Sequence, residues 1–315
     1  MGVNYFTIKK PLIPRFFSHR LQRWICGYFL LCALAATPAE QEPSYNGRPL
    51  SQWIGDMRLS AVTSGHAPYD EAIRAMGTNA IPTLLQWISY EPSAWQQWTQ
   101  TGKAVPSWQP NYNLNPEERA ERAQYAFFSL GAVGRPAIPE LTRLARTSPD
   151  PKRAERCAWS LALIGPESIP SLISLATNGP PWARYAGAFG LERFSRQPEG
   201  LQTLPVLMSC LADTNTQVAG SAQLSLLNMG PSIAVPALSN VLHSSSTQTR
   251  QLALGCLGLF EEENRTNLPP TMVPALRAAM HDPDSEVRSI ATNILGRMGN
   301  SEAPSANQHL QPTPR

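Results

Sequence analysis

Apolar residues recur along this chain in short clusters at helical spacing, and the same joint follows cluster after cluster. In the stretch from residue 154 to 176 the inward candidates are Cys157, Ala158, Leu161 and Ile164, then Ile169, Leu172, Ile173 and Ala176. Both sets follow the i, i+3, i+4, i+7 rule of an amphipathic helix. Between them lies Gly165-Pro166-Glu167-Ser168-Ile169-Pro170. Glycine suits the left-handed position just past a helix. Proline suits the first helical turn, where its missing N–H is no loss. The joint therefore predicts a helix end, a tight turn and a second helix opening at an aliphatic-Pro pair. It has copies at Gly77 to Leu85, Gly134 to Leu141 and Gly230 to Leu238.

The copies keep a period. The aliphatic-Pro prolines are Pro82, Pro139, Pro170, Pro205, Pro236 and Pro274, with gaps of 57, 31, 35, 31 and 38 residues. Ala126 and Cys157 are 31 apart, as are Ala222 and Ala253, in first helices whose small residues permit close helix approach. Self-similarity in this range marks a solenoid. The prediction is an all-α fold: an α-solenoid of about six helix pairs spanning residues 49–299, with a terminal half-repeat at 283–299. A short helix from Pro49 to about Arg58, with Leu50, Trp53, Ile54 and Met57 on one face, caps the open end. The first full pair joins a helix bearing Tyr69, Ala72, Ile73 and Met76 to one bearing Leu84, Leu85 and Ile88. Residues 37–48 read as an extended linker. Residues 300–315, rich in Pro, Gln, Ser and Asn, read as a disordered tail.

The stretch Asp282-Pro283-Asp284-Ser285-Glu286-Val287-Arg288-Ser289-Ile290-Ala291-Thr292-Asn293-Ile294-Leu295-Gly296 resembles the opening helix of HEAT repeats, including the HEAT-like repeats of phycobilisome-lyase type. The resemblance covers residues 69–299. It implies that the Asp-Pro pair caps the helix and that the Ala and Leu pack inside. Asp150-Pro151 and Asp213-Thr214 hold the corresponding place in other units. The opening pattern Tyr45-x-Gly47-x-x-Leu50-x-x-Trp53 is similar to the start of secreted HEAT-repeat proteins of environmental bacteria, which supplies no activity. Some HEAT-like relatives act on bilins and others repair DNA.

Composition changes this picture at the N-terminus. The net charge of +3 comes from 26 basic and 23 acidic residues, but Lys9, Lys10, Arg15, Arg20 and Arg23 precede position 37 with no acid among them. Without them the chain is slightly acidic, which argues against nucleic acid as a partner. The basic segment leads into an apolar run from Trp24 to Ala36, short for a membrane span and of signal-peptide length. Residues 1–36 are therefore expected to direct export, periplasmic or extracellular, with an uncleaved membrane anchor as the alternative. Downstream, Cys157, Cys210 and Cys256 form no CxxC pair and read as buried core residues.

Function is expected where the period fails. The gap of 57 residues exceeds one repeat by a segment at about 91–116 holding Trp95, Trp98, Trp108 and Tyr112, with Trp87 and Tyr90 just before it. Long insertions in repeat proteins project from one face, often the binding face, and Trp and Tyr are frequent interface anchors. The alternative is a segment that folds over the first repeats and buries its own aromatics. Trp182, beside Pro181 where other units have Asp-Pro, is a further candidate. The acidic triplet Glu261-Glu262-Glu263 reads as a solvated turn between helices. His66, His243, His281 and His309 lack paired ligand spacing, and no nucleophile elbow, P-loop or dinucleotide fingerprint is present. The reading is a non-enzymatic module, without cofactor or metal, that binds a protein partner through the concave face and the aromatic insertion. A carbohydrate or small-ligand module using the same tryptophans is the alternative, and a lyase-type enzyme ranks behind both.

Overall fold

A computed structural model describes residues 42–57, 67–91, 114–148, 150–264 and 268–301. The N-terminal segment, residues 92–113 and residues 302–315 lie outside the described residues. The described chain is almost wholly helical. Its helices are α1 (Leu50–Asp56), α2 (Pro68–Met76), α3 (Ile81–Ile88), α4 (Pro116–Leu130), α5 (Ile138–Thr147), α6 (Pro151–Ile164), α7 (Ile169–Asn178), α8 (Pro181–Glu192), α9 (Leu204–Leu211), α10 (Thr216–Met229), α11 (Pro231–Val241), α12 (Thr247–Asn264), α13 (Val273–Ala279) and α14 (Ser285–Ser301). From α2 to α13 they form six pairs, and α14 is the unpaired last helix. The architecture is an α-solenoid with one continuous apolar core. Each pair closes its core against its neighbours, as stacked repeats must.

The joints follow the expected chemistry with two corrections. Gly77 (φ 55°), Gly165 (φ 132°) and Gly230 (φ 83°) end α2, α6 and α10 with a positive φ that a side chain would strain. At the end of α4 that task falls to Gly131 (φ 50°), not Gly134. Gly134 instead lies in the turn, where an added Cβ would come within 3.1 Å of Ile164 and 3.2 Å of Phe127. After Gly230 the joint has one more residue than its copies. The chain turns directly into α11 at Pro231, leaving Pro236 inside that helix instead of at its start.

The helix caps need a further correction. Asp150 caps α6, accepting from the Lys152 N–H at 3.1 Å. Asp213 and Asp282 do not cap. Asn215 caps α10 and Asp284 caps α14, whereas Asp213 and Asp282 each take both ends of an arginine from the preceding unit. Arg184 holds Asp213 at 2.7 and 2.9 Å, and Arg250 holds Asp282 at 2.7 and 2.8 Å. Two-pronged contacts of this kind fix register between neighbouring units.

At the N-terminal end the expected linker is partly a β-hairpin, Ser44–Tyr45 paired with Arg48–Pro49. Asn46 (φ 50°) and Gly47 (φ 74°) supply the two left-handed residues of its turn. The hairpin packs on α1: Arg48 stacks over Trp53 at 4.0 Å and pairs with Asp56. Leu50, Trp53, Ile54 and Met57 are all buried, as the pattern predicts. Arg122 of α4 donates to the carbonyls of Gly55 at 2.7 Å and Met57 at 3.1 Å, closing the end of α1. At the other end the acidic triplet continues α12 to Asn264 and forms no turn, and Glu261 pairs with Arg297. α14 runs through Gly299 to Ser301. Among the described residues no helix is long and apolar enough to cross a membrane.

Candidate functional site

The first helices of the pairs stack side by side, and α6 and α8 carry the least polar surface. In α6 every residue from Arg156 to Ile164 is buried except Trp159. Beyond its first turn this helix therefore shows water only Glu155 and Trp159, one turn apart. α8 beyond its first turn shows only Tyr185, Phe189 and Glu192, again one stripe. Small residues make this possible. A Cβ on Gly187 would lie 2.5 Å from the Ala176 nitrogen, and one on Gly190 would lie 2.6 Å from a Leu172 methyl. The bare backbone of α8 thus seats directly on α7 and α6.

The two stripes meet residue by residue. Trp159 packs on Phe189 with ring centroids 5.4 Å apart, and Phe189 stacks with Tyr185 at 6.2 Å. The Tyr185 hydroxyl interacts with the Glu155 carboxylate. On the other side Phe128 of α4 is half-buried, and the guanidinium of Arg193 lies 5.7 Å from its ring. Arg193 belongs to the end of α8, so it reaches past α6 to do so. The result is a strip of half-buried aromatics on three neighbouring first helices, with Trp159, Phe189 and Tyr185 in ring contact beside Glu155, and Phe128 joined to α8 through the Arg193 guanidinium.

Burial has shifted the ionisable groups of the strip. Glu155 is pushed above the ordinary carboxylate range, mainly by loss of water and secondarily by the Asp150 charge. Loss of water also raises Glu192 and Tyr185, and it lowers Arg193. Desolvated charges gathered on one surface are a mark of functional sites. Arg193 has no carboxylate partner among the described residues, and the buried indole N–H of Trp159 has no acceptor there. The arginine also stands where sibling helices end in glycine. It is the C-cap of α8, and the chain leaves through Phe194 without a left-handed residue.

The sequence-predicted residues fall elsewhere. Trp87 is half-buried with Arg119 stacked 5.5 Å from its ring, and Tyr90 is half-buried with its carbonyl accepting from Arg156 at 2.6 Å. Trp182 is half-buried at the start of α8, its indole N–H buried without an acceptor among the described residues. Trp95, Trp98, Trp108 and Tyr112 lie outside the described residues. No ring contact joins Trp87 to Trp182 among the described residues. What the structure does fix is the root of the insertion. Arg153 pairs with Glu91 at 3.0 Å, Ser148 donates to Glu91 at 2.6 Å, and Arg156 holds Tyr90. Residue 91 thus leaves from the N-terminal end of α6. Lys152–Glu117, at 2.9 Å, ties the returning α4 to the same place.

Two other features are structural. A polar cavity of about 350 Å³ between α7 and α9 is lined by the Arg184–Asp213 pair, whose charges satisfy each other. The thiols of Cys157, Cys210 and Cys256 are buried and pushed up to about 12, 11 and 12, so they stay protonated at neutral pH. Among the described residues no group of His, Cys, Asp and Glu could hold a metal ion.

Comparison with known proteins agrees with the repeats. Residues 235–312 match the model of the HEAT-repeat family. The match begins in α11 and takes in the stretch from Asp282. No curated protein matches the chain. Among solved structures, Kap121p bound to RanGTP is 15% identical, with a TM-score of 0.42 over 80% of this chain. The chain spans 30% of the length of Kap121p. An engineered protein is 17% identical, with a TM-score of 0.33, over 80% of this chain and 96% of its own.

Strip residues Phe128, Trp159 and Phe189 went unnoticed in the sequence, although each follows the small core residue of its helix (Ala126, Cys157, Gly187) by two positions. A repeat register laid over the sequence would have lined them up. It would not have revealed that Arg193 crosses to Phe128.

Proposed function

We propose that this protein is a non-enzymatic binding module that takes a protein partner on the aromatic face of α4, α6 and α8, with the tryptophans of the insertion as a second contact. The observation that carries the reading is the aromatic strip on α6 and α8, left half-exposed where, beyond the first turn of each helix, only Glu155 and Glu192 share the accessible surface. Half-buried aromatics beside desolvated charges are the usual content of an interface centre. The root of the insertion supports a shared site, since residue 91 leaves beside the N-terminal end of α6. The protein is exported by residues 1–36, as secreted bacterial HEAT-repeat proteins are.

The test is affinity capture of partners by the full chain, by Trp159→Leu and by a chain lacking residues 92–113, each checked for helical content. Loss of a partner in Trp159→Leu with the fold retained supports the strip. Loss only in the deletion moves the site to the insertion, and unchanged capture in both ends the proposal. Glycan binding that depends on Trp95 or Trp98 would favour the carbohydrate alternative. Mass spectrometry of the secreted protein tests export: an N-terminus between Ala35 and Ala39 is expected.

A further inference from the structure

Two donors in the strip lack acceptors. The Arg193 guanidinium, half-buried against Phe128, makes no side-chain hydrogen bond or ion pair among the described residues, and neither does the Trp159 indole N–H. Other arginines of the inter-repeat contacts are spent: Arg184 on Asp213, Arg250 on Asp282, Arg153 on Glu91. Glu192 is the nearest acid along the chain, but its partners are Arg196 and Asn228. Loss of water is what lowers Arg193, and no acid among the described residues faces it. The guanidinium keeps donors open to water, and its partial loss of water strengthens its attraction for an anionic group brought by a ligand.

We infer that Arg193 anchors a carboxylate carried by an extended, apolar segment of a protein partner lying along the Phe128–Trp159–Phe189 strip. This deepens the proposed function and rests on its choice of face. Charge complementarity selects the anion, and the strip selects what must come with it. The guanidinium is 5.7 Å from the Phe128 ring, so an apolar group on the ring and a carboxylate on the arginine are neighbours. In an extended chain, side chains at i and i+2 share a face about 7 Å apart. The pattern read is therefore an apolar residue, any residue, then Asp, Glu or the chain's own terminal carboxylate. Glu155 at the far end of the strip disfavours a second anionic group there, so a single carboxylate fits better than a polyanion. A planar guanidinium offers two parallel donors to a carboxylate.

The test uses fluorescein-labelled peptides of the form apolar-x-Asp, each paired with its Asn twin, titrated into the full chain by fluorescence anisotropy. An acidic peptide should bind about 10- to 100-fold more tightly than its Asn twin, the range of a charge-assisted hydrogen bond. Arg193→Gln should erase that difference, and Arg193→Lys should restore part of it. Equal binding of the twins, or an acidic peptide indifferent to Arg193→Gln, overturns the inference. If both twins bind and lose affinity together in Trp159→Leu or Phe128→Ala, the face is right and the carboxylate anchor is wrong. If binding ignores both of those variants, the face itself is wrong. Failure of every acidic peptide to bind overturns the inference outright.

Discussion

The two ends of the solenoid treat the same helix positions differently. In the C-terminal repeats the positions matching Phe128, Trp159 and Phe189 hold Leu224 on α10 and Gly255 on α12, two residues after Ala222 and Ala253. There the charges of the inter-repeat contacts are paired: Arg250 with Asp282, Asp284 with the start of α14, Arg297 with Glu261. In the α4–α8 region the same face is aromatic, and Arg193 has no acid partner among the described residues. The stretch matched by the HEAT-repeat model, residues 235–312, takes in the paired C-terminal contacts. The region where the pattern departs has donors to spare, and that is where a partner is expected. The contrast separates what holds units in register from what is left free for recognition.

Glycine substitutions are the strongest way to break this contrast. Gly187→Ala places a Cβ 2.5 Å from the Ala176 nitrogen, and should cost about 3 kcal/mol by urea unfolding. On α10, nothing lies within 4 Å of a Cβ at Gly220, so Gly220→Ala should gain about 1 kcal/mol from helix propensity. Similar losses at both sites would mean that α8 is not packed more closely than α10.

Next in size is the inter-repeat ion pair. Asp282→Ala leaves the nearly buried Arg250 unpaired and should cost about 2 kcal/mol. Arg250 holds the Asp282 carboxyl below its ordinary value of 3.8, first by hydrogen bonding, and Arg184 does the same to Asp213. A carboxyl depressed by folding adds stability above its unfolded value and loses it as pH falls through the folded one. Unfolding midpoints should therefore drop below about pH 4, and Asp282→Ala should flatten that drop. An unchanged acid limb would remove the pairs from the account of register.

The smallest effect sharpens the other side. Burial raises Glu155, so its charged form opposes folding at neutral pH, and the opposition fades as pH falls through its titration. Glu155→Gln should stabilise the chain at pH 7 by less than about 1 kcal/mol, with no gain at acid pH, while Arg250→Gln should destabilise it. Thermal melts at two pH values read both. Stabilisation that persisted at acid pH would mean that burial of charge at the strip is not the cause.

Much of the fold was written in local sequence. Gly165 and Ile169-Pro170 locate a joint because positive φ and a missing N–H are properties of single residues. The beat of 31 counts six pairs because each unit must bury the same face. The caps were misplaced because Asp282 and Asp284 look alike in sequence, and only the position of Arg250 on the preceding unit decides which one caps. The hairpin was missed although Asn46-Gly47 announces its turn, because strands of two residues carry no periodicity. The candidate strip is legible only in part: a repeat register aligns Phe128, Trp159 and Phe189 but does not point to Arg193. Phe128, Trp159, Phe189 and Arg193 each satisfy a plausible local role, and the contact of Arg193 with Phe128 joins residues two repeats apart. Sequence set the helices, their joints and their number, since those follow from short-range rules. Tertiary packing decided which charges are spent and which face keeps an unpaired arginine, since that depends on distances between residues of different repeats.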